Sequence, residues 1–141
     1  MTANLIETLV EWIDDQDDLV SIFPGGIWDS DAPTGTSTPL PYLTFRQTDS
    51  RMINIIGGKF VQFMTVNLES RAVYAATART LGTQVRDRII DDATRFVWAG
   101  GQAVGKYLTD GEGGELEEGR GPDGSDVWVH RIPIIFTTAR G

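Results

Sequence analysis

A chain of 141 residues has the length of one ordinary domain, enough to bury roughly two-thirds of its surface on folding, so a self-contained core is expected. Its 20 acidic against 12 basic side chains give a formal charge of -8, which disfavours direct binding to a phosphate backbone. Cysteine is absent, which excludes disulfides, thiolate zinc sites and thiol nucleophiles, and no apolar run approaches the roughly 18 residues of a bilayer span. The first residues also lack the basic-then-apolar pattern of a signal peptide, so a soluble protein made in the cytoplasm, without membrane association, is expected.

Near the start, Leu5, Leu9 and Ile13 recur every four residues, with Ile6 and Val10 beside them, and predict an amphipathic helix to about residue 17. Asn4 with Glu7 fits a capping box, and Thr2 is a rival cap. Asp14, Asp15, Asp17 and Asp18 fall at the C-terminal end, where the helix dipole disfavours anions and fraying is expected. Pro24-Gly25-Gly26 breaks the chain, and residues 29–41 read as a flexible surface loop.

A strand is predicted over 42–48 and a longer one over 59–69, with Phe60, Met64, Val66 and Leu68 on one face and Thr65, Asn67 and Glu69 on the other. Ser70 is a plausible N-cap for a second helix with Tyr74, Ala78, Leu81, Val85 and Ile89 as its buried stripe and Arg71, Arg79, Arg86 and Asp87 on its wet side. Phe96-Val97-Trp98 is too short to assign, Gly100-Gly101 is a turn, and residues 103–109 read as a strand. Residues 110–125, rich in glycine and carboxylates, read as a flexible excursion. A last strand is predicted over 127–137, with Pro133 demanding an edge or a bulge. The fold class is therefore α+β: a mainly antiparallel sheet of four strands or slightly more, two helices packed on one face, and a single domain over residues 1–141.

Reactive chemistry finds little support. His130 is the only histidine and has no serine or cysteine partner at a recommending spacing, so a structural strand residue is the favoured reading. Asp110, Glu112, Glu115, Glu117, Glu118 and Asp123 suggest calcium, but the EF-hand register is missing, so a solvated acidic segment outweighs an irregular cation site. The glycines at 111, 113, 114, 119 and 121 lack the Lys-Ser/Thr ending of a P-loop. Apolar residues crowd the connection between the first two strands: Met52, Ile53, Ile55, Ile56, Phe60, Val61 and Phe63. Apolar character on both faces of a strand implies cover on both, supplied either by another subunit or by the N-terminal helix and the Trp28 loop.

The order of elements, the phrase Pro39-Leu40-Pro41-Tyr42-Leu43-Thr44-Phe45, the strand 60–68, the alanine-rich helix 72–89 and the late Ile134-Ile135-Phe136 resemble the tail terminator, or tail completion, proteins of long-tailed bacteriophages. The resemblance implies a structural virion protein of the tail or neck, assembled in the host cytoplasm. It implies a hexameric ring on the end of the tail tube that stops polymerisation and joins the head. Its partners would be further copies of itself, the major tail tube protein and head-tail connector proteins, with DNA met only in passage and no specific binding. No catalytic residue, metal or cofactor is implied. Two departures stand out: Glu69-Ser70 replaces an aromatic-small pair, and the glycine-rich acidic insertion is long.

On this reading Met52, Ile53, Ile55, Ile56, Phe60, Val61 and Phe63 are candidates for subunit or tube contacts. The carboxylates Asp110, Glu112, Glu115, Glu117, Glu118 and Asp123 are candidates for a surface facing the lumen or a partner. A head-tail joining adaptor of the neck is the nearest alternative. A small divalent-metal-dependent enzyme, or a ligand-binding module beneath Trp98 and Trp128, ranks lower.

Overall fold

Leu5–Asp14 forms the first helix, α1, in a computed structural model that describes residues 5–29, 39–55, 59–91, 106–109, 114–120 and 126–140. Ile6, Leu9 and Ile13 are its buried stripe, as the periodicity predicts. The helix stops three residues short of the expected end and a short helix α2, Asp17–Val20, starts afresh. The break moves Asp17 and Asp18 from a C-terminal end, where carboxylates oppose the dipole, into a first turn, where they favour it. The caps Thr2 and Asn4 lie outside the described residues.

Among the described residues six strands build one sheet: β1 (Ile27–Asp29), β2 (Tyr42–Ile55), β3 (Lys59–Ala72), β4 (Lys106–Thr109), β5 (Glu115–Arg120) and β6 (Asp126–Arg140). Their order is β1-β2-β3-β6-β4, and β5 also pairs with β6. The ladders β2·β3, β3·β6, β4·β6 and β5·β6 are antiparallel, and the three-residue β1·β2 ladder is parallel, so the sheet is mixed and larger than four strands. The predicted α+β class stands.

Several boundaries differ from expectation. Strand β2 runs on to Ile55 across an irregularity between Gln47 and Asp49, because β3 supplies a pairing partner along the whole stretch. Residues 49–55, read from sequence as a connection, are therefore strand. Strand β3 continues to Ala72, which places Ser70 and Arg71 in the ladder and not at a helix start. The third helix, α3, begins at Ala75 and runs to Asp91, so Tyr74 precedes it and is 72% exposed instead of lining the buried stripe. Ala78, Gly82, Val85 and Ile89 form that stripe, with Leu81 at its margin, and Arg79 and Asp87 are exposed as predicted. Residues 30–38 of the expected loop, 92–102 with Phe96-Val97-Trp98, and 103–105 of the expected strand lie outside the described residues.

The largest correction is β5. Six residues of the expected flexible excursion, Glu115–Arg120, pair with Arg131 to Asp126 of β6. Composition hid this strand because its stability comes from the partner strand and from Glu117 meeting Arg131, not from apolar residues of its own. Gly114, at φ +68, begins the segment where a Cβ would stand 2.3 Å from the Arg131 carbonyl oxygen, so both conformation and space require glycine. Pro133 lies between the two ladders, since β5 reaches Arg131 and β4 begins at Ile134. Among the described residues the proline is thus at a local edge on that side of β6, in keeping with its missing donor.

The core lies between the helices and one face of the sheet. Ile6, Leu9 and Ile13 of α1 and Val85 and Ile89 of α3 pack with Leu43, Phe45, Val66, Leu68, Ile132, Ile134 and Phe136. Strand alternation then turns Thr44, Arg46, Glu69, Arg71 and Arg131 toward the other face.

Candidate assembly surfaces

Two regions hold the candidate site residues singled out by sequence, and a third lies beyond them. The first is the end of the sheet farthest from Tyr42. There Met52 is in register with Gln62, Ile53 with Val61 and Ile55 with Lys59, while Phe60 stands opposite Asn54 and Phe63 opposite Arg51. Strand β6 continues the same ladder, with Arg140 opposite Phe60, Ala139 opposite Val61 and Thr137 opposite Phe63. Six of the seven predicted contact residues therefore share one patch of backbone, the Phe63 side chain is half-buried, and Ile56 lies outside the described residues. Fourteen residues of strand reach about 46 Å, whereas the 17 residues of α3 reach about 25 Å, so the strands outrun that helix. Strand β1, with Trp28, pairs with Leu43 to Phe45, at the opposite end of β2 from Met52 and Ile55.

The second region is the acidic hairpin. Glu115, Glu117 and Glu118 fall on β5, and Asp110, Glu112 and Asp123 lie outside the described residues. Glu115 and Glu118 are exposed, but Glu117 is committed: its Oε1 accepts from Arg131 Nη1 at 2.7 Å. Among the described residues no three histidine, aspartate or glutamate side chains form a group able to hold a metal ion. Trp128 lines a shallow depression with Val73, Glu118, Asp126 and Val127, and its proposed companion Trp98 is outside the described residues.

The third region was missed by sequence reasoning. Glu69, on the face away from the helices, has a side chain only 4% exposed and gathers three arginines. Arg131 Nε donates to its Oε2 at 2.7 Å, while Arg71 Nη2 and Arg46 Nε lie 3.6 and 3.7 Å from its Oε1. Thr44 donates to the same Oε1 at 3.4 Å and accepts from Arg71 Nη1 at 2.7 Å. The Arg71 guanidinium also sits 5.5 Å from the centre of the Tyr42 ring. For Arg131, burial works to lower the pKa, but the bonds to Glu69 and Glu117 outweigh it and raise the guanidinium above its ordinary value. The one sequence signal was Glu69 in an otherwise apolar-alternating strand with Arg71 two positions on; nothing local could place Arg46 and Arg131 beside it.

His130 is 1% exposed and stands opposite Ser70 in the β3·β6 ladder, beneath α3. A Cβ on Gly82 would come within 2.7 Å of its Nδ1, so glycine is what lets the helix approach the sheet there. A histidine packed this way is shut off from substrate, which agrees with its structural reading.

No family model matches the chain, and no curated protein matches it either. Its fold is similar to that of a chain in the solved structure "Virion of native gene transfer agent (GTA) particle", with a TM-score of 0.58 at 12% identity. The likeness covers 96% of this chain and 95% of that one, so it concerns the whole domain and not a shared hairpin.

Proposed function

We propose that the protein is a non-catalytic structural subunit of a virion that closes into a ring, hexameric in the simplest case, on the end of a phage tail tube. There it stops tube polymerisation and presents the surface to which the head connector binds. The observation that carries this reading is the fold likeness, end to end on both chains, to a component of a virion particle. A unit of assembly works through its surfaces, and the long end of the sheet offers one. Met52, Ile53, Ile55, Phe60, Val61 and Phe63 would contact a neighbouring subunit or the tube from that end. The net charge of -8 suits a wall past which DNA moves without sticking, since like charge discourages lasting phosphate contacts. Glu115 and Glu118, exposed on β5, would face the lumen or the head-side partner.

The test is tube growth in vitro. Purified major tail tube protein is allowed to polymerise with and without this chain, and tube lengths are measured by electron microscopy. The proposal predicts that added protein arrests elongation and remains on one tube end. Unaltered lengths with bare ends contradict it, and binding to purified head connector without binding to tubes would favour the neck adaptor instead.

A further inference from the structure

Strand β5 is joined to the sheet differently from its longer neighbours. Glu115, Glu117, Glu118 and Arg120 are exposed, Leu116 and Gly119 are half-buried, and none of the six enters the core cluster to which β2, β3 and β6 each contribute. Packing therefore holds β2, β3 and β6, whereas β5 depends on its backbone ladder to residues 126–131 and on its charged side chains. Among the described residues no strand pairs with its outer edge, so the ladder is one-sided.

The charged side chains form a latch. Arg131 of β6 reaches two carboxylates at 2.7 Å: its Nε donates to Glu69 Oε2 and its Nη1 to Glu117 Oε1. The Glu69 side chain is 4% exposed, while that of Glu117 is 49% exposed. When the Glu117 contact breaks, Arg131 keeps its buried partner and Glu117 passes into water, so release leaves no unpaired charge in the interior. Arg120 lies 3.9 Å from Asp126 with both side chains largely exposed, and that pair adds little.

The edge of β6 under this strand is sealed. Val127 and Val129 are buried on the face that also carries Arg131, with Gly119 opposite Val127 and Glu117 opposite Val129. A Cβ on Gly119 would stand 3.0 Å from Val129 Cγ2, so the β5 backbone lies directly against that valine. Lifting β5 bares the two valines and the backbone edge of residues 126–131, while β3 keeps its own ladder to the other edge of β6.

We propose that β5 is an ion-latched strap that opens as a unit while the rest of the sheet stays folded, with Glu117 and Arg131 as the latch and the β6 edge at Val127 and Val129 as the surface it covers. The device belongs to a single chain and does not depend on the ring reading. Its opening exposes little surface, so it responds to salt, which weakens a half-exposed ion pair, more than to denaturant.

Hydrogen exchange of the full-length chain, followed by NMR and corrected for intrinsic rates, tests the strap. Amides of 115–120 that donate to β6 are expected to exchange roughly a hundredfold faster than those of 64–71 in β3, through an opening that low denaturant leaves unchanged. Glu117→Gln should speed the 115–120 amides roughly threefold and leave 64–71 unaltered. Raising salt should reproduce that rise in the parent chain but not in the variant. Equal protection of the two segments, a rise in both together, or a salt response that Glu117→Gln retains overturns the strap. The protection and denaturant measurements use the unaltered chain, so they decide the matter even where the variant folds poorly.

Discussion

Leu68 and Glu69 are neighbours in β3 and are hidden almost equally, at 0% and 3% exposure, yet they are held by opposite physics. Leu68 faces the helices and is buried among Phe45, Ile132 and Val85, where removal from water is itself the stabilising force. Glu69 faces the other way and stays buried only because arginines and a threonine replace the water it lost. The apolar face tolerates any side chain that fills the space, whereas the charged face depends on every partner being present. One face is therefore held by packing and the other by ion pairs.

The comparison can be broken most forcefully at Leu68. Leu68→Ala is expected to lower stability by about 3 kcal/mol in chemical denaturation, because a cavity opens in a packed layer. Glu69→Gln should cost about 2 kcal/mol, less than a wholly buried pair, because Arg46 and Arg131 retain some access to water. Its melting temperature should also depend less on salt than that of the parent chain. Ser70→Ala should go the other way: Ser70 Oγ is buried without a hydrogen-bond partner among the described residues, so removing it is predicted to be neutral or to stabilise by up to about 1 kcal/mol. Tyr74→Ala, at a 72% exposed position, should change stability by less than about 0.5 kcal/mol, and a large loss there would show that Tyr74 does belong to the helix core.

The smallest expected effect is at Asp18. The hydrogen bond from Arg88 holds its carboxyl below the ordinary value of 3.8, so its contribution to stability is present above that value and is lost as pH falls through the lower, folded-state value. A carboxyl titration by NMR should place Asp18 below the ordinary aspartate value, and Arg88→Gln should return it to the ordinary range.

Much of the apolar face was legible in the sequence. Strict alternation in Met64, Val66 and Leu68, and three- and four-residue spacing in Ile6, Leu9 and Ile13 and in Val85 and Ile89, specify a face without reference to anything distant. The charged face was not legible, since Glu69 is brought to Arg131 by the β3·β6 register across 62 residues of chain. For the same reason β5 was read as an excursion: Glu115–Arg120 has little apolar content, and its pairing is set by β6. The start of α3 was misplaced because Ser70 suits a cap locally, while the ladder to His130 extends the strand past it. The apolar crowding around Ile53 and Val61 was visible, and the structure adds that these residues are paired strand at one end of the sheet.

On the proposed function, this fold works by joining copies of itself on a tube end. Electron cryomicroscopy of tail tubes assembled with the protein tests it most directly. The account predicts a closed ring of six copies seated on one end of each tube, with the 49–63 end of the sheet at a subunit or tube contact. Tubes whose ends are bare, with the protein remaining in solution as single particles, would contradict it.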